Sequence, residues 1–269
     1  MSLDKVVLGR IDESFHQVAA AVVEEVLIRL GHEVEVVEGA HPNMYPLLGS
    51  GEHDLFADAW LPGGHEVYWE MVKDDVVEVA PLYDDAIFFW AVPGYVDADI
   101  QSLADLARPE VAEKFTTRIV QGTKGSAGLS MRSDKLVVDY GLDKLGWEHV
   151  HGDIDAVISN VNDRMKAGDW FATPMWQPMF LNEVHDLRPL ADPLGIFPPP
   201  DRASLLAHRD AWAKLPERTR EVLGRIRYTV ADVNVMDCSM QLDGLDALAA
   251  ARAWMAAHAG EVEAWFADQ

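Results

Sequence analysis

The chain has 269 residues, 49% of them hydrophobic and 25% charged, which is globular composition and enough length for two domains. Its 45 acidic residues against 22 basic ones give a formal net charge of −23, a field that repels nucleic acid and anionic membrane because phosphate binding needs Lys and Arg. The single cysteine, Cys238, excludes an intramolecular disulfide and argues against a Cys-based metal site.

Residues 5–9 read as a short buried strand. Asp12 or Ser14 is expected to cap a helix from about Phe15 to Leu30, with Val18, Val22, Val26 and Leu30 on one stripe and Gly31 ending it. Glu33 to Glu38 alternates Val34 and Val36 with acidic residues, a second strand. Met44 to Gly49 suggests a short helix, and Gly51 to Ala59 leads into a third strand. This β-α-β-α-β order predicts an α/β domain with a parallel sheet. Residues 65–73 predict a helix, and 86–92 an apolar strand stopped by Pro93-Gly94.

A second unit then begins. Ser102 to Leu106 opens a short helix, and Arg118-Ile119-Val120 is a strand entering the loop Gly122-Thr123-Lys124-Gly125-Ser126-Ala127-Gly128. Helices are predicted from about Leu129 to Tyr140 and from Ile154 to Ala167, and Trp170 to Thr173 is a strand leading into Trp176. Phe197-Pro198-Pro199-Pro200-Asp201 is a linker, since stacked prolines hold an extended conformation. Ala203 to Ala207 is strand-like, and helical segments follow near 216–226, 229–241 and 246–267. Two α/β units joined near 94–98 and 198–202 suggest lobes of residues 1–94 with 203–269 and of residues 95–202, a clamshell about a double hinge.

Two tryptophans in matching contexts stand out: Asp58-Ala59-Trp60-Leu61-Pro62 and Pro174-Met175-Trp176-Gln177-Pro178. A run that stops at Trp-x-Pro puts the indole at a strand end, because proline cannot donate to a ladder. Two aromatic faces from two domains suit a cation, above all a quaternary ammonium that cannot hydrogen-bond. Ordinary core or rim packing of both indoles is the competing reading.

Other candidates are weaker. The Gly122 to Gly128 loop can cradle an anion, but Lys124 lies between the glycines, so neither nucleotide-binding spacing is met and a tight turn is the plainer reading. Asp12-Glu13-Ser14-Phe15-His16 opens the first helix, where free N–H groups favour a carboxylate and the two acids oppose one. Arg202, after the proline linker, can clamp a carboxylate between lobes or form a surface ion pair. Among ten histidines, His149 and His151 point the same way only on a strand, and His41, His53 and His65 stand alone, so no metal site is expected. No Gly-x-Ser-x-Gly elbow or triad spacing argues for catalysis, and no cofactor is expected.

The stretch Asp54 to Tyr68, with Ala-Trp-Leu-Pro followed by His and Tyr, resembles the substrate-binding proteins of glycine betaine/proline betaine ABC importers. The resemblance extends through Ala91 to Val96, Gly122 to Leu129, Thr173 to Phe180 and the closing Ala250 to Phe266. It implies a two-lobed periplasmic-binding-protein fold of type II with two hinge crossovers, and a trimethylammonium head held in an interlobe aromatic cage. Trp60 and Trp176 would be cage walls, with Phe197 a third aromatic and Trp90 an added face or a buried strand residue. Arg202 would help bind the carboxylate, and Ser14 and Phe15 would supply backbone donors. It further implies a monomer that delivers a betaine- or choline-type ligand to an ABC permease outside the cytoplasm. No apolar run approaches the about 20 residues that span a bilayer. No signal peptide is visible before Val6, which fits either a cytoplasmic protein or a mature form with a new start codon. A sensor domain or an enzyme on the same clamshell scaffold is the alternative function.

Overall fold

The structure, a computed structural model, describes residues 5–124 and 127–267. In chain order the elements begin β1 (Lys5–Ile11), α1 (Ser14–Arg29), β2 (Glu33–Gly39), α2 (His41–Ser50), β3 (Leu55–Leu61), α3 (Glu66–Val72) and β4 (Val76–Pro93). They continue with α4 (Pro109–Ala112), β5 (Ile119–Thr123), α5 (Ala127–Asp139), β6 (Glu148–Gly152), α6 (Ile154–Ala167), β7 (Thr173–Gln177), α7 (Leu181–Val184) and β8 (Leu187–Pro189). The last are β9 (Asp201–His208), α8 (Arg209–Lys214), α9 (Glu217–Leu223), α10 (Val230–Gln241), α11 (Ala247–Ala257) and α12 (Ala259–Phe266). The backbone divides into two compact units, Met1–Ala86 with Asp201–Gln269, and Ile87–Pro200.

In the first unit the strands run in the order β2-β1-β3-β9-β4. β1 is parallel to β2 and β3, whereas β9 is antiparallel to β3 and β4. The expected parallel sheet therefore holds for the first three strands only. The chain leaves this unit along β4 and re-enters along β9, so β9 runs backwards beside them, a pairing that needs no crossover helix within the unit. Every residue of β3 is buried, which explains why Leu55–Leu61 reads as a nearly continuous apolar run. α1 lies between the strands β1, β2 and β3 and the helices α10 and α11. Its buried surface therefore extends beyond the predicted stripe to Ala19, Ala20, Ala21 and Val23. Each fully buried Val or Leu contributes about 1.5–3 kcal/mol, so this sandwiched helix anchors the unit.

In the second unit, residues Ile87 to Ala91 of β4 pair antiparallel with β7, and Ala91 to Pro93 pair with β8. β5 and β6 form a separate parallel pair. The core is built on Trp90, Leu103, Phe115, Val120, Leu136 and Trp147. α6 is capped at its start by Asp153, whose carboxylate accepts the Ala156 N–H at 2.8 Å, and at its end by Gly168 with φ 70°.

Several predicted boundaries differ. β4 starts ten residues before the expected strand, because Glu78, Pro81, Asp84 and Asp85 interrupt the apolar pattern. Register shifts against β9 absorb that interruption, and Asp85 turns to φ 67°. β6 was not expected as a strand. The predicted helix 246–267 is two helices, broken at His258 with φ −110° and ψ 32°. Neither Asp12 nor Ser14 caps α1: the N-cap is Glu13, without a side-chain cap bond, and Ser14 is the first helical residue. Gly122 closes β5 and Gly128 lies in α5, while Gly125 and Ser126 of the glycine-rich loop lie outside the described residues. Among the described residues, no helix is long and apolar enough to cross a membrane.

Candidate functional site

Trp60 is the next-to-last residue of β3 and Trp176 the next-to-last of β7, as the Trp-x-Pro spacing predicts, and both following X-Pro bonds are cis. Trp60 is 1% exposed. Its Nε1–H donates to the Tyr83 hydroxyl at 3.0 Å, and its ring lies 5.6 Å from Phe15 and 6.4 Å from His65, stacked on the latter. The turn that follows is pinned at both ends. The His65 N–H donates to the Trp60 carbonyl at 2.9 Å, and His65 Nδ1 accepts the Trp60 N–H at 3.1 Å. The buried Asp201 carboxylate accepts the N–H groups of Gly63 and Gly64 at 2.6 and 2.7 Å. These charge-assisted bonds fix the Leu-Pro-Gly-Gly segment and with it the indole.

Around Trp60 the first unit gathers a buried group that sequence spacing did not reveal. His16, His41 and His65 are each under 10% exposed, and one ring nitrogen from each lies within 4.8 Å of the others. The expectation that His41 and His65 stand alone is thereby overturned. Each of the three follows the end of a strand: β1, β2 and β3 end at Ile11, Gly39 and Leu61. Loops after neighbouring parallel strands meet at the carboxyl edge of the sheet, and that topological rule is the signal that would have found them. His16 Nδ1–H donates to the Asp58 carboxylate at 2.5 Å, and Asp58 is itself fully buried with φ 70°. The Tyr45 hydroxyl donates to His65 Nδ1 at 2.7 Å.

That pattern settles what the triad can hold. With Nδ1 accepting the Trp60 N–H, the neutral His65 ring carries its proton on Nε2, so neither nitrogen offers a free lone pair to a metal. Burial lowers the pKa of His41 to about 3, helped by His16, and lowers that of His65 well below the ordinary histidine value. Burial also raises the Glu13 carboxyl to about 7, against an opposing pull from His16. Tyr45 and Tyr83 are pushed up, first by burial and then by the charge of Asp58. His41 and His65 therefore present neutral rings beside the Trp60 and tyrosine faces, surroundings that suit a cation.

The remaining predicted residues fall as follows. Ser14 opens α1, and Phe15, 3% exposed, packs beside Trp60. Arg202 on β9 pairs in register with Leu61, and its Nε and Nη2 donate to the two oxygens of Glu78 at 2.5 and 2.8 Å. The Ser204 hydroxyl joins at 2.6 Å, and these bonds hold the Glu78 carboxyl below its ordinary pKa. In the second unit, Trp90 is fully buried in the core and donates to the Ser133 hydroxyl at 2.9 Å. Phe197 packs on that same core, with its N–H donating to Asp192 Oδ2 at 2.9 Å. Trp176, 3% exposed, faces Phe88 across the β4–β7 ladder.

Comparisons with known proteins agree with this architecture. Residues 4–257 match the family described as the substrate-binding domain of ABC-type glycine betaine transport systems, OpuAC, and the chain belongs to that family. Its fold is the two-lobed α/β fold of periplasmic binding proteins, as expected. Among solved structures it is similar to lactococcal OpuAC in its closed conformation complexed with glycine betaine, at 22% identity and TM-score 0.87, covering 98% of this chain and 100% of that one. It is similar to the glycine betaine/L-proline-binding protein ProX of Borrelia burgdorferi, at 20% identity and TM-score 0.86, covering 98% and 97%. An ABC-transporter choline-binding protein in complex with choline matches at 20% identity and TM-score 0.84, covering 98% and 91%. A search of curated proteins finds no match.

Proposed function

We propose that this chain captures a betaine- or choline-type quaternary ammonium compound outside the cytoplasm and delivers it to an ABC permease, as a monomer and without a cofactor. The observation that carries the reading is that Trp60 lies at the end of β3 inside a buried shell of aromatic and imidazole rings, in a chain of the glycine betaine transport family. A quaternary ammonium has no proton to donate, so aromatic faces replace its water at about 1–2 kcal/mol each when desolvated. Trp176, set at the matching position of β7, offers the second face. Complexes of related proteins with glycine betaine and with choline support this ligand class.

The anionic end of a betaine is assigned to the first turn of α1, at Ser14 and Phe15, where no side chain caps the helix. Glu13 is the apparent objection to an anion there. Its carboxyl, raised to about 7, is substantially protonated at neutral pH and repels less than an ordinary glutamate. Arg202 serves this site through Glu78, tying β9 to β4 beside Leu61, and Phe197 and Trp90 support the second unit's core. The net charge of −23 supports a reading in which nucleic acid is not a partner.

The test is a fluorescence titration of glycine betaine and choline into the wild type, Trp60→Phe and Trp176→Phe. Loss of one strong cation–π face weakens binding about fivefold or more. Unchanged affinity in either variant removes that tryptophan from the ligand.

A further inference from the structure

Among the described residues, two clusters of side chains carry metal-ligating atoms in close reach, and in one of them each ring nitrogen can turn a lone pair inward by a change of tautomer. The His16, His41 and His65 group is disqualified by the two donors on His65 Nδ1. The other lies in the second unit, where β6 carries His149 and His151 on one face and α5 brings Asp134 to them. Asp134 Oδ1 stands 2.7 Å from His149 Nδ1 and 3.1 Å from His151 Nε2, and the two rings are 4.6 Å apart in an edge-to-face arrangement. Three ligand atoms thus converge within 4.8 Å of one another.

We propose that Asp134, His149 and His151 form a binding site for a first-row transition-metal dication of the zinc or copper class. Around a tetrahedral ion with bonds of about 2.0–2.1 Å, ligand atoms sit roughly 3.3 Å apart, so the separations of 2.7 and 3.1 Å to Asp134 open by about 0.6 and 0.2 Å to admit it. Two imidazoles and a carboxylate are borderline donors that select zinc or copper over calcium or magnesium. The site is anchored on one side and open on the other. The His149 side chain is 2% exposed, whereas His151 and Asp134 are 38% and 51% exposed, leaving the fourth position to water. Gly122 provides the seat for His149, since a Cβ there would collide with the ring's Nε2. The Trp90 ring, 6.5 Å away, backs it. The ion binds as each neutral ring shifts its proton from the nitrogen facing Asp134 to its other nitrogen, and the acidic chain raises the local ion concentration.

The experiment uses tag-free, chelator-treated full-length protein. Zn2+ binding is followed by calorimetry, and Cu2+ binding by electron paramagnetic resonance. One ion per chain with a dissociation constant of about 10 μM or tighter, and copper hyperfine structure from two nitrogens, is the expected result. His151→Ala and Asp134→Asn, both on exposed side chains, each weaken binding at least tenfold while the circular dichroism spectrum is unchanged. No saturable binding below about 100 μM overturns the proposal. So does binding that persists unaltered in both variants, because the ion then sits elsewhere.

Discussion

Replacing Glu13 by Gln tests the electrostatics at the start of α1. The Glu13 side chain is 16% exposed, and burial raises its pKa from 4.5 to about 7. The folded chain therefore binds this proton more tightly than the unfolded chain between those two values. Where the native state holds more protons, stability falls as pH rises. Glu13 is harmless below about pH 4.5 and costs most above pH 7. A shift of that size corresponds to roughly 3 kcal/mol at about 1.4 kcal/mol per unit, an upper figure that residual solvent contact reduces to about 2–3 kcal/mol. Gln keeps the shape and removes the charge. Urea unfolding of ligand-free wild type and Glu13→Gln at pH 5, 6, 7 and 8 is the assay. The expected curves differ by less than about 1 kcal/mol at pH 5 and separate to about 2–3 kcal/mol in favour of Gln at pH 8. A difference that does not change with pH, or a wild type more stable at pH 8, refutes the reasoning.

Other substitutions give distinct expectations. Trp60→Ala removes a buried indole and the Tyr83 partner, so a loss of about 3–5 kcal/mol of stability is expected by calorimetry, separating its structural role from ligand affinity. Asp201→Ala removes the carboxylate that accepts the Gly63 and Gly64 N–H groups, at a cost of about 2–4 kcal/mol, and a melting temperature equal to wild type contradicts that account. Gly122→Ala forces the His149 ring away from its seat. A destabilisation of about 1–3 kcal/mol with loss of the metal site is expected, and an unaltered variant shows that the ring is held some other way.

Much of this fold was legible because hydrophobic period and turn chemistry agreed. β1, α1, β2 and β3 each carry one clear pattern, and α6 adds an Asp153 cap and a Gly168 stop. Trp60 and Trp176 were legible for the same reason, since Trp-x-Pro marks a strand end whatever the tertiary context. The first ten residues of β4 were not, because acidic residues and Pro81 face solvent or sit at register shifts. β6 was missed because Val150 is the one apolar side chain in Glu148–Gly152, so no apolar run marks it. The histidines around Trp60 were invisible to spacing, since their meeting depends on which strands are neighbours and on the ends of β1, β2 and β3 sharing one sheet edge. The ion pair of Arg202 is likewise a product of register, which brings residues 78 and 202 onto adjacent strands.

The most direct measurement of ligand capture is isothermal titration of the full chain with glycine betaine, choline and, as a control, unmethylated glycine. Saturable one-to-one binding of glycine betaine or choline in the micromolar range or tighter, with no heat from glycine, is the predicted result. An absence of binding by both quaternary ammonium compounds, or equal binding of glycine, contradicts the assignment.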